Sequence, residues 1–207
     1  VFSLMAIIQA VGFTIGQGAS SVISRKLGEK QSGEANAAAS AAIVTALIIG
    51  VVVGVLGLVF IDPLMNLLGA TPTILPFARA YGVYILIASP VMALSFVLNN
   101  LLRAEGKTRF AMIGISVGGI LNIVLDPIFI FIFDLGTAGA AIATAISQAV
   151  SLVILASCYV RKRTIVAPSV SLIPRGIAVY ADIFRMGAPA FLRQGLSSAA
   201  TIALNVN

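Results

Sequence analysis

The sequence predicts an all-α polytopic membrane protein. Three observations carry that expectation. Apolar residues make up 59% of the chain and charged residues only 10%, against about 45–50% and about 25% in soluble globular domains. The apolar residues come in runs of about 20, long enough as helices to cross a hydrocarbon core of roughly 30 Å. Within the runs there is no alternation of polar and apolar positions such as a membrane strand needs.

Taken in order, the first span covers about 1–24 and turns from apolar to Gly, Ser and Gln in GFTIGQGASSVIS. The basic loop RKLGEKQSGEAN follows. A second span runs over about 37–61 and stops at Asp62-Pro63, where Asp can cap and Pro can open a short interfacial helix. A third span covers about 80–98, a fourth about 110–133 and a fifth about 138–160. Only DLGTAG separates the fourth from the fifth, which predicts a tight antiparallel pair. The polar stretch 161–182, with Pro168 and Pro174 inside it, reads as a linker, and a sixth span begins near Ile183. The chain opens at Val1 without a basic leader or cleavage signal and stops at Asn207 inside an apolar stretch, so it reads as a fragment of a longer protein.

The charge pattern predicts orientation. The net charge is +6, and ten of the 13 basic residues lie in loops 25–36, 99–109 and 161–182, on one side of the alternating spans. The opposite connectors, 62–79 and 134–137, hold only Arg79. By the positive-inside rule the basic loops are cytoplasmic, in a multi-pass plasma-membrane protein (the inner membrane of a two-membrane cell), with anionic lipid headgroups as neighbours. A nucleic-acid reading would need a basic face on a soluble domain, and none is present. Cys158 is the single cysteine and there is no histidine, which leaves no Cys/His metal site and no internal disulfide. Cys158 reads as a small packing residue.

Glycines recur at four-residue spacing, at Gly12 and Gly16, Gly50 and Gly54, and Gly114 and Gly118. They predict close helix packing, either across a dimer face or, as their spread over several spans favours, inside one bundle. GKT at 106–108 is not a phosphate loop, because Leu101 stands where its upstream glycine belongs. No protease signature is present, and nothing in the sequence points to an enzyme.

An acid inside a span costs about 2.5–3.5 kcal/mol on insertion scales and calls for a reason. Asp126 is the only acid well within a span. Asn122 lies one turn earlier on the same face. Pro127 removes a backbone N–H and frees carbonyls nearby. Counted from the intervening turn, Asp126 and Thr144 lie at the same depth, about 12 Å in. Asn122, Asp126 and Thr144 are therefore expected to line one cation pocket in the outer half of the bilayer, occupied by H⁺ or Na⁺. The plainer reading is a carboxyl that only bonds a neighbouring helix. Gln17, Asn99 and Gln148 are intramembrane amides of the kind that bridge helices. Gln17, Gln148, Arg193 and Gln194 are candidates to line a substrate cavity, and Tyr81 and Tyr84 read as interfacial anchors.

The stretch NNLLRAEGKTRFAMIGISVGGILNIVLDPIFIF with GTAGAAIATAISQ resembles the multidrug and toxic compound extrusion (MATE) family of cation-coupled exporters. GQGASSVISRKLGEKQSGEAN and FRMGAPAFLRQGLSSAATIALN resemble the same family's second and seventh helices. The resemblance implies a twelve-helix, two-lobe transporter, of which this chain runs from helix two into helix seven. Segment 1–160 is then an amino-terminal lobe lacking its first helix, 161–182 the inter-lobe linker, and 183–207 the start of the second lobe. It also implies a cation site on Asn122, Asp126 and Thr144, completed by an Asp of the first helix, which has no counterpart in this chain. The implied activity is H⁺- or Na⁺-coupled antiport of cationic amphipathic compounds, without an organic cofactor and by a transporter that works as a monomer. Two alternatives are a lipid-linked oligosaccharide flippase of related architecture, toward which only Arg193 points, and a membrane scaffold subunit without transport.

Overall fold

The computed structural model describes the whole chain except Val1, Ala70, Lys162, Arg175 and Asn207, and the side chains of Phe2, Ser3, Val170 and 194–206. It is all-helical, with no strand among the described residues. Helix α1 spans Phe2–Gly28, α2 Ser32–Val59, α3 Ile61–Leu67, α4 Leu75–Ala104, α5 Thr108–Pro127, α6 Gly136–Val160 and α7 Ile177–Val206. The backbone of α5 continues as a π-helical turn over Ile128–Ile132. Five segments are long and apolar enough to cross a membrane: Leu4–Gly28, Ser32–Val59, Leu75–Ala104, Thr108–Ile132 and Gly136–Val160.

The helices outrun the expected spans, most of all at their basic ends, where α1 reaches Gly28 and α4 reaches Ala104. Hydropathy marks the lipid-crossing part, whereas the helix carries on through polar residues whose backbone bonds it still satisfies. The same effect corrects the start of the last span. Helix α7 begins at Ile177, ahead of the expected Ile183, and its first turns pack through Val179 and Tyr180 against α1 and α2. Asp62 does not cap α3 either. It lies inside the first turn, and its carboxylate faces Arg79 at 3.6 Å.

Lipid offers no hydrophobic drive for one apolar helix to bury against another, so close packing through small residues carries the bundle. All six paired glycines are spent inside this chain, not on a dimer face. Gly12 and Gly16 of α1 face Phe96 and Asn100 of α4, Gly50 and Gly54 of α2 face Pro90 and Leu86 of α4, and Gly114 and Gly118 of α5 face Leu155 and Ser151 of α6. Apolar side chains such as Val55, Val59, Ile120 and Ile123 point outward, as a lipid-facing surface requires. Pro90 leaves the Leu86 carbonyl without its helical N–H. Ser89 Oγ supplies the missing hydrogen-bond contact at 2.7 Å, and lies 2.8 Å from the Gly50 carbonyl of α2.

The segment between α6 and α7 is fastened to the basic end of the bundle. Glu105, after α4, accepts a hydrogen bond from the Ile165 backbone N–H at 2.7 Å. Asn36 and Ser40 of α2 accept from the N–H groups of Ala167 and Ser169 at 2.9 and 3.0 Å. Three side chains thus take the place of a ladder partner for an extended strap, and Val166 is buried beneath it. Burial of Glu105 pushes its carboxyl above the ordinary glutamate range, against the opposing pull of the strap N–H groups and Lys107.

Two outcomes follow from this packing. A Cβ on Gly50 would sit 2.7 Å from Pro90 Cα, where only backbone could move, while Gly28 has nothing within 4 Å. Gly50→Ala is therefore expected to destabilise the bundle by about 1–3 kcal/mol and Gly28→Ala to leave it unchanged, as read by thermal unfolding in detergent. Because the folded chain holds the Glu105 proton more tightly than the unfolded chain, its contribution is full below the ordinary glutamate range and is lost as pH rises through the raised value. Glu105→Gln removes that loss, so its stability advantage over the wild type should grow from acidic to neutral pH in the same assay.

Candidate cation site

Helices α5 and α6 form the expected antiparallel pair. The turn between them is made tight by Asp134 and Gly136, both at positive φ of 53°. Gly118 lets α5 approach the Ser147 carbonyl and Ser151 Cβ of α6, so polar groups at matching depth are brought within reach. The Ser151 hydroxyl donates to the Gly114 carbonyl at 2.9 Å and fixes the register of the pair.

Toward the α5–α6 turn from that contact, Asn122, Asp126 and Thr144 meet as the sequence predicts. Asn122 Nδ2 donates to Asp126 Oδ1 at 3.1 Å and lies 3.4 Å from Thr144 Oγ1. The Thr144 hydroxyl donates to the Ala140 carbonyl at 2.9 Å, which turns its oxygen lone pairs toward the asparagine. All three side chains are half-buried. The helical backbone explains the placement: a four-residue step stacks Asn122 beneath Asp126, and Pro127 followed by the π turn ends regular α bonding directly beyond the carboxylate. One carboxylate, one amide and one hydroxyl form an oxygen-rich set suited to a proton or a hard cation.

Tyr81 departs from the expected role. It is half-buried in the apolar cluster with Met5 and Leu4, and its hydroxyl donates to Met5 Sδ at 2.9 Å. The signal for its burial was available in its position near the end of α4 remote from the basic loops, but an aromatic there reads equally well as an anchor. Tyr84 is exposed, in keeping with the anchor reading.

The amides divide. Asn99 Nδ2 donates to the Ala111 carbonyl at 2.8 Å and ties α4 to α5. Gln17 on α1 and Gln148 on α6 are half-buried, and Arg193 on α7 is exposed. The Gln194 side chain lies outside the described residues. A cavity of about 460 Å³ between α1, α2 and α7 is lined by apolar side chains and Thr14, and Gln17, Gln148 and Arg193 are not among its lining residues. Cys158 is buried among Leu102, Ala111 and Leu155, as a packing residue would be.

The MatE family pattern matches residues 1–128. This chain belongs to the MatE family. It is 34% identical over 203 residues to the multidrug export protein MepA of Staphylococcus saprophyticus, covering 98% of this chain and 45% of that protein. Among solved structures it is similar, at 32% identity, to a multidrug resistance MATE family transporter of the MOP superfamily in two conformations. The outward-facing form matches with a TM-score of 0.91 over 99% of this chain and 46% of the other. The inward-facing form gives 0.88 over 93% and 44%. This MatE chain therefore spans about half the length of the relatives it matches.

If Asn122 is what holds Asp126 in place, Asn122→Leu should cost about 0.5–2 kcal/mol of bundle stability, the range of interhelical hydrogen bonds in membranes. Thr144→Val should cost less, because its contact is long. Unfolding in detergent by denaturant reads both.

Proposed function

We propose that this chain forms the first half of an exporter in which H⁺ or Na⁺ binding at Asp126, Asn122 and Thr144 drives the release of cationic amphipathic compounds to the outside. The observation that carries the reading is the Asn122–Asp126–Thr144 cluster itself. It puts an ionisable group inside a membrane span among neutral oxygen ligands, with Asp126 Oδ1 engaged by Asn122. A carboxylate used only to join helices would be cheaper as an amide.

The chemistry follows from the ligand set. With no ion, the Asn122 amide N–H groups satisfy Asp126 and reach toward Thr144. A proton on Asp126 removes the charge that the lipid environment penalises. A sodium ion would instead draw Asn122 round to present its carbonyl oxygen beside the Thr144 hydroxyl. Either event exchanges one hydrogen-bond arrangement for another, and an ion can shift the transporter only by binding the two arrangements unequally. The exported compound, with its positive charge and apolar body, competes electrostatically with the same ion for the Asp126 carboxylate.

The basic loops 25–36, 99–109 and 161–182 would face the cytoplasm, which puts the cation site in the outer half of the bilayer. The MepA relatives are multidrug export proteins, which supports the substrate class.

In the full-length protein, Asp126→Asn is expected to abolish gradient-driven ethidium efflux while leaving expression and membrane insertion intact. Efflux at the wild-type rate in that variant would sink the mechanism. Imposing Na⁺ and pH gradients separately on proteoliposomes identifies the coupling ion, since only the coupled one sustains efflux.

A further inference from the structure

The end of the bundle remote from the basic loops carries a groove that none of the cation-site residues lines. It measures about 670 Å³ and opens between α3, the first turns of α4 and the start of α6, with Asp62, Arg79, Ala80, Val83, Tyr84 and Ala138 in its wall. Helical spacing explains the α4 side: Ala80, Val83 and Tyr84 recur at steps of three and four, so they form one stripe. The next residue of that stripe, Ile87, is 60% exposed. The groove is therefore a notch in the lipid-facing surface, apolar along its length and charged at its rim.

The charges at the rim are unspent. Arg79 Nε lies 3.6 Å from Asp62 Oδ1, an ion-pair distance beyond hydrogen-bond reach. Among the described residues neither side chain makes a hydrogen bond, and the two are 58% and 48% exposed. The guanidinium keeps its paired Nη donors, a planar fork that matches two oxygens of a phosphate. Asp62 Oδ2 is open to a donor. Arg79 is also the only basic residue of the connectors at this end, so a phosphate on this side of the membrane has one cation to meet.

We infer that the groove binds one phospholipid with a zwitterionic, primary-amine headgroup, taken from the leaflet opposite the basic loops. Its phosphate sits on the Arg79 fork, its ammonium donates to Asp62, and its acyl chains run along Val83 and Ile87. The Tyr84 hydroxyl, about 7.5 Å further along α4 than Arg79, stands at the level of the ester carbonyls. Charge complementarity selects this occupant. Opposite charges side by side suit a ligand whose own opposite charges are two carbons apart. A purely anionic headgroup meets the Asp62 carboxylate, and a choline headgroup brings a quaternary nitrogen with no N–H to donate. The site is independent of ion coupling and of export, since it needs only that α4 crosses a membrane.

The test uses the full-length protein, delipidated in detergent and titrated with phosphatidylethanolamine, phosphatidylcholine or phosphatidylglycerol of identical chains, with bound lipid counted by native mass spectrometry. The wild type should retain phosphatidylethanolamine several-fold better than phosphatidylcholine, a comparison that needs no variant to fold. Arg79→Ala should remove that preference. Asp62→Asn should lower phosphatidylethanolamine retention and raise that of phosphatidylglycerol, because the repelling carboxylate is gone. Arg109→Ala, at an exposed arginine of the basic end, should leave the preference as it is in the wild type. Equal retention of the two zwitterionic lipids by the wild type, a preference that neither rim variant changes, or an equal loss in Arg109→Ala overturns the site. Soluble glycerophosphoethanolamine in large excess separates a lipid from a free headgroup. It should displace little of the bound lipid, and complete displacement overturns the lipid as occupant.

Discussion

What the bundle depends on is that its helices come close enough for backbone to meet backbone. In water, apolar side chains drive helices together; in lipid the surrounding tails satisfy those side chains equally well, and the attraction left over is dispersion at short range together with a few buried polar contacts. Several helix pairs here have a glycine at the crossing. Gly50 and Gly54 bring α2 against Pro90 and Leu86, Gly114 and Gly118 bring α5 against α6, and Gly18 and Gly187 bring α1 against α7. The polar contacts appear where the packing has already excluded lipid: Ser89 between α2 and α4, Ser151 between α5 and α6, Asn99 between α4 and α5.

Asp126 belongs to this scheme and also breaks it. Ser89, Ser151 and Asn99 are neutral, and each makes a hydrogen bond to a main-chain carbonyl. Asp126 is ionisable, bonds another side chain, and sits where Pro127 and the π turn have undone the regular helix. A bundle built for packing alone gains nothing from that combination, because an asparagine or threonine would join the same helices at lower cost. That departure from the local rule is the observation on which the proposed role of Asp126 rests.

Much of this was legible in the sequence because it is local. Long apolar runs have few alternatives in lipid, so the five spans and the all-helical fold follow from hydropathy. The Asn122, Asp126 and Thr144 cluster was legible because the α5–α6 turn is so short that counting residues from it sets the depth of both partners. The strap was not, since Glu105, Asn36 and Ser40 reach Ile165, Ala167 and Ser169 across 60 to 131 residues of sequence, and no local pattern distinguishes them from other polar loop residues. The early start of α7 was hidden for a related reason: Tyr180 and Asp182 look like linker until α1 is there to cover Val179 and Tyr180. Gly18 and Gly187 each read as one small residue among many, and only the fold puts them face to face.

The cation site and the α1–α7 crossing have no residue in common, so any influence of one on the other must pass through packed helices. The route is short. Thr144 stands one turn from Ala141, which is buried in the same cluster as Leu4 and Ile8 of α1. Helix α1 then runs without proline from Ile8 to Gly18, a distance of about 15 Å at 1.5 Å per residue. Tyr81 of α4 joins the same cluster, its hydroxyl donating to Met5 of α1. The start of α1 is thus packed against both neighbours of that cluster, α4 through Tyr81 and α6 through Ala141, so the first span and the helix that carries Thr144 are seated on one apolar core.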